Sequence, residues 1–178
     1  MSNHENFDRL ALYPVSEWHG GNVQKISDSI IHLMRSEVYE IDGHSFFCMG
    51  GAMSTDRGPI IGDEKHSAHK WWWPQEVSTE EEYLYAVNNL AKAGNKVDYI
   101  ITHDCPSGAN HWPYRIGLHS KRLEMIRQTV KFKRWYCGHM HTDKDVSEAN
   151  VTILYNEILP IGETISSALA KLYKERCE

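Results

Sequence analysis

Two periodicities divide this chain into helices and strands. From Thr79 to Ala93, Tyr83, Val87 and Leu90 recur at three- and four-residue spacing, with Leu84 and Ala91 alongside, which predicts an amphipathic helix. Ser78-Thr79-Glu80-Glu81 reads as the capping box that opens it, and Gly94 closes it. A second helix is predicted over about Ser120 to Val130, with Leu123, Ile126 and Val130 turned inward. Strands are predicted where short β-rich runs lie between turn residues: Ser29–Arg35, Val38–Ile41, Ser45–Met49, Val97–Thr102, Arg134–Tyr136 and Val151–Tyr155. Asp42-Gly43 between the second and third of these is a strong hairpin signal, because both central residues of the tight turn need positive φ.

The remaining stretches read as connections. Asn3 to Leu12 is expected to form a turn and the start of a helix, with Phe7, Leu10 and Leu12 on its buried side and Asn6 or Asp8 as cap. Tyr13-Pro14 ends that helix, and Glu17 to Gly21 reads as a loop. Gly50-Gly51-Ala52 is either a tight turn or a place where backbone passes close to a ligand. Met53 to Glu76 has no period and carries Asp56, Arg57, His66, His69 and Trp71-Trp72-Trp73; it reads as a substrate-facing loop, with Arg57 as a phosphate-binding candidate. Pro106 to Gly117 is a second loop, and the chain from Glu163 onward reads as helical, with Lys171, Lys174 and Arg176 near its C-terminal end. Helices alternating with strands predict a layered α/β fold.

Composition narrows the classes. A chain of 178 residues, 41% hydrophobic, predicts one domain over 1–178 with a sizeable core. A net charge of −5 gives no nucleic-acid footprint, and no apolar run has membrane-spanning length. Cys48, Cys105, Cys137 and Cys177 form no CxxC pair and follow no signal peptide, which favours reduced thiols and a cytoplasmic location. Cys105 and Cys137 each neighbour a candidate ligand histidine; they read as packing residues, with a thiolate ligand as the alternative.

The candidate chemistry gathers at strand ends. His139 and His141 follow the Arg134–Tyr136 strand through Gly138, which is read as the residue that lets the backbone turn tightly. Two imidazoles one residue apart suit a borderline divalent metal; the alternative is a polar strand surface. The Val97–Thr102 strand likewise delivers His103 at its C-terminal end, the edge where open α/β sheets place their sites.

Asn3-His4-Glu5, Thr102-His103-Asp104 and Gly138-His139-Met140-His141, in that order, resemble the later motifs of the calcineurin-like metallophosphoesterases, in a small bacterial or phage-type form. The resemblance implies a metallophosphoesterase-like β-sandwich flanked by helices. It implies that Asn3, His103 and His139 hold one metal, that His141 belongs to a neighbouring metal, and that His4 acts as general acid near the leaving group. Two divalent ions, manganese, iron or zinc, would then activate a water against a phosphate ester. Asp104 and Asp143 would orient ligand histidines.

The departures from that pattern matter equally. The family's Asp-x-His and Gly-Asp motifs would precede Asn3, and Ser2 stands where the family has glycine. The resemblance therefore implies an N-terminally truncated fold with three ligands for one metal and one for the other. Two histidines and an asparagine supply no anion to offset a dication; Asp104, Glu5 and Asp56 are the candidate carboxylates. The lost strands would leave a sheet edge for a second copy or an N-terminal complementing segment. The leading expectation is a metal-dependent phosphoesterase, incomplete as this chain alone, that holds two metals in the intact site and one or none here. The alternatives are a non-catalytic phosphatase-derived binding module using the Trp71–Trp73 loop, and a mononuclear zinc hydrolase.

Overall fold

A computed structural model describes residues 2–53, 72–110, 112 and 116–175. These residues form a mixed α/β structure with two sheets and four helices. The three-stranded sheet is an antiparallel meander of β1 (Val15–Trp18), β2 (Gly21–Ser27) and β3 (Ile30–Leu33). The six-stranded sheet contains β4 (Glu37–Ile41), β5 (His44–Met49), β6 (Tyr99–Thr102), β7 (Arg134–Cys137), β8 (Lys144–Val146) and β9 (Val151–Ile153). Its order is β4-β5-β6-β7-β9-β8. The four central strands run parallel, and β4 and β8 pair antiparallel at the two edges.

Local chemistry accounts for the turn between β4 and β5. Asp42 and Gly43 take φ of 49° and 75°, and Ile41 faces His44 across the two-residue loop, as the Asp-Gly signal predicts. Long crossovers then join the parallel strands. Between β5 and β6 lies α2 (Glu80–Lys92), and between β6 and β7 lies α3 (Leu118–Thr129). Tyr83, Ala86 and Leu90 of α2 and Leu123 and Ile126 of α3 join one cluster with Phe47, Met49, Ile100 and Trp135. A smaller cluster of Val23, Tyr39 and Cys48, with Trp18, Leu33 and Ile41 beside it, joins the three-stranded sheet to β4 and β5. The Tyr39 hydroxyl donates to the Asn22 carbonyl at 2.6 Å and accepts from the Met34 amide at 2.9 Å.

Several expectations are corrected. The capping box of α2 is one residue later than predicted: Thr79 is the N-cap, and Glu82 closes the box on the Thr79 amide at 2.9 Å. The inward face is Tyr83–Ala86–Leu90, whereas Val87 is 39% exposed. Residues 17–21, read as a loop, span the turn between β1 and β2. The first helix, α1 (Phe7–Leu10), is a single turn capped by Asn6 and buries no residue; Leu12 lies outside it and is exposed. β8 lies in a stretch with no predicted element. The C-terminal helix, α4 (Ile165–Glu175), has no buried residue. No helix among the described residues is long and apolar enough to cross a membrane.

Candidate metal centre

The C-terminal ends of β6 and β7 and the segment before α1 meet at one place. β6 ends at Thr102, whose hydroxyl accepts from the Trp135 indole at 2.8 Å and donates to the Asp104 carbonyl at 2.6 Å. This pair fixes the turn that presents His103. The His103 carbonyl in turn accepts from the Gly138 amide at 2.9 Å, which ties the exit of β6 to the exit of β7.

Across this tie the His103 and His139 rings lie 5.1 Å apart, edge to face. Asn3 reaches the same place from the other end of the chain. Its side chain is 1% exposed, and Oδ1 accepts from His103 Nε2 at 2.7 Å. Its Nδ2 lies 3.5 Å from the His4 ring. The Ser2–Glu5 turn is held by the Ser2 amide donating to Glu5 Oε1 and the His4 amide donating to Ser2 Oγ.

Glycine is not the residue that takes the left-handed backbone after β7. His139 and His141 do, with φ of 63° and 50°. Non-glycine residues are uncommon there, and two such residues one apart mark a turn whose geometry the surrounding contacts impose. A Cβ at Gly138 would make only ordinary contacts, the nearest 3.6 Å from the Leu154 carbonyl.

The other predicted site residues take separate places. His141 is exposed and stacks on Tyr155 at 4.9 Å. Asp143 does not reach His141; its carboxylate accepts from the Tyr155, Asn156 and Glu157 amides at 2.7 to 3.1 Å, so it shapes the turn that carries Tyr155. Asp104 is buried, and its Oδ1 accepts from the Cys105 amide at 2.8 Å. Cys105 and Cys137 meet one another, with sulfurs 2.8 Å apart. Arg57, Asp56, His66, His69 and Trp71 lie outside the described residues.

Burial dominates the electrostatics. It pushes the pKa of His103 down to about 4, with smaller contributions from His4 and His141, so the ring is neutral. A groove of about 330 Å³ opens beside it, lined by Ser2, Glu5, Met34, Cys48 and Ile101.

The donor types, an amide oxygen and two imidazoles, are ones that divalent ions accept. Adjacent ligand atoms bound at about 2.1 Å stand roughly 3 Å apart, close to the Asn3–His103 separation. A larger set is not assembled: among the described residues no group of three or more His, Cys, Asp or Glu side chains is arranged to hold a metal.

The sequence reading missed a buried pair behind this edge. Ser78 Oγ lies 2.9 Å from His119 Nδ1, and the Ser78 carbonyl accepts from Arg122 at 2.8 Å. Burial, then the charges of Arg35 and Arg122, pushes the pKa of His119 down to about 3. Its signal was the spacing His119, Leu123, Ile126, Val130, one helix face continued a turn earlier.

Comparison of the chain with protein-family models, with curated proteins and with solved structures finds no match.

Proposed function

We propose that this chain is a metal-dependent phosphoesterase domain. In this reading Asn3, His103 and His139 hold one divalent ion, manganese, iron or zinc, and His141 serves a neighbouring one. The observation that carries it is the convergence of Asn3 on His103, a hundred residues apart in sequence, beside the His139 ring. A bound divalent ion supplies polarisation of a phosphoryl oxygen and a water of lowered pKa.

The chain's own groups do the rest. Asn3 and the two imidazoles would fix the ion, and the groove beside His103 receives the ester. His4, exposed and adjacent to Asn3, protonates the leaving oxygen. The architecture this reading implies is a metallophosphoesterase-like β-sandwich, supported by the packing of the three-stranded sheet on β4 and β5 through Val23, Tyr39 and Cys48.

A second reading, a non-catalytic phosphatase-derived binding module, draws on the small donor set. Trp73 is removed from its Trp-rich contact surface, being 7% exposed with its indole donating to Asp8 at 2.9 Å.

Elemental analysis after reconstitution with manganese or zinc separates the two, combined with hydrolysis of nitrophenyl phosphate mono- and diesters. At least one ion per chain, lost in His139→Ala together with turnover, is the expected result. Metal bound without turnover favours the binding module, and no bound metal with no turnover removes the phosphoesterase reading.

A further inference from the structure

We propose that Cys105 and Cys137 form a reversible disulfide site, a dithiol in the reduced protein that a peroxide converts to a cross-link between the two turns of the candidate centre. Cys137 is the last residue of β7, and Cys105 lies three residues beyond the end of the neighbouring parallel strand β6. Their sulfurs are 2.8 Å apart. A disulfide bond is about 2.05 Å long, so closure asks for under an ångström of approach.

Packing isolates the pair. The two residues are 0% and 4% exposed, and among the described residues the sulfur within reach of each is its partner; Cys105 Sγ also lies 4.0 Å from the Gly138 carbonyl. Cys48, also buried, has no such neighbour among the described residues and serves as an internal reference.

The chemistry balances with one peroxide. One thiol releases its proton, its sulfur attacks an oxygen of hydrogen peroxide, the O–O bond breaks, and the departing hydroxide takes up that proton, leaving a sulfenic acid and one water. The partner thiol then releases its proton and its sulfur attacks the sulfenic sulfur; the S–S bond forms, the S–O bond breaks, and the leaving hydroxide takes up that proton as a second water. Both sulfurs are oxidised by one electron each, and the peroxide is reduced by two. Local opening of the turns admits the small, neutral oxidant to these buried sulfurs.

The bond would link turns that each carry a centre histidine two residues away, His103 on one and His139 on the other. It would close a segment spanning 32 positions. The proposal concerns the thiols themselves and stands whether or not the histidines hold a metal.

The test treats the purified full-length chain with hydrogen peroxide, blocks remaining thiols with N-ethylmaleimide under denaturing conditions, and maps non-reduced peptides by mass spectrometry. The expected product is the Cys105 peptide joined to the Cys137 peptide, two hydrogens lighter than their sum, released by dithiothreitol, with Cys48 alkylated. A Cys105→Ser variant loses this product while keeping its fold by circular dichroism. Alkylation of both cysteines, under conditions that fully oxidise a free dithiol peptide in the same tube, overturns the proposal. So does pairing of either with Cys48 or Cys177.

Discussion

Asn3 Oδ1 accepts a hydrogen bond from His103 Nε2 at 2.7 Å, so the beginning of the chain is bonded to the exit of a central strand. An amide oxygen carries no proton, and the imidazole must therefore carry its proton on Nε2. That nitrogen presents a lone pair to a metal only when the proton moves to Nδ1 or leaves.

The tautomer is thus an observable of occupancy. In the metal-free protein, nitrogen NMR of His103 is expected to report the Nε2–H form. Titration with zinc is expected to switch it to Nδ1–H, with Asn3 released from the hydrogen bond. An unchanged spectrum at saturating zinc would show that His103 is not a ligand.

On the proposed reading, charge at Asn3 sets the affinity of the same centre for a divalent ion. Asn3 carries no charge and is 1% exposed, where an added negative charge is weakly screened. Asn3→Asp is expected to tighten divalent binding by on the order of tenfold or more, and Asn3→Leu to weaken it. Calorimetric titration with manganese reads both, and equal affinities in the three proteins would place the ion elsewhere.

Gly51 is required by a neighbouring carbonyl. Its φ is +96°, a Cβ there would sit 2.3 Å from the Glu76 carbonyl oxygen, and the Ala52 amide donates to that same oxygen at 3.0 Å. Gly51→Ala is expected to destabilise the fold by roughly 2–4 kcal/mol, from positive φ and the clash together. Urea unfolding measures this; a loss below about 0.5 kcal/mol, the range of neutral surface changes, would contradict the close approach.

Acid sensitivity follows from His119. Its pKa falls from the ordinary 6.5 to about 3 on folding, so between those values the unfolded chain binds the extra proton. The stability contributed by the neutral ring is complete above about pH 6.5 and is lost as pH falls toward 3. Arg35 and Arg122 are the charges that act on the ring. His119→Gln is expected to flatten the acid limb of urea midpoint against pH between 6.5 and 4, leaving the remainder that His103 contributes. An acid limb as steep as that of the unaltered protein would assign the sensitivity to other groups.

The parts legible in the sequence are those with local causes. Asp42-Gly43 dictates its turn because few residues adopt positive φ, and α2, β6 and α3 announce themselves through spacing. β1 was illegible because its residues are mostly exposed, so no alternation marks it, and its partner follows directly across Gly20. Val87 was misplaced for a related reason: the period alone does not say which side of a helix the sheet will meet, and Ala86 is buried instead.

By itself the sequence determined the hairpin, the two crossover helices and the strands they join, and it placed His103 and His139 at strand exits. Only the tertiary structure decided which of these groups meet. It brought Asn3 against His103, turned His141 toward Tyr155, directed Asp143 to the 155–157 amides and set Cys105 on Cys137. The reason is physical: turn and helix preferences act over a few residues, whereas the Cys105–Cys137 contact depends on parallel pairing of strands about thirty-five residues apart in sequence, as in the Tyr99–Arg134 pair, and the Asn3–His103 contact joins segments a hundred residues apart.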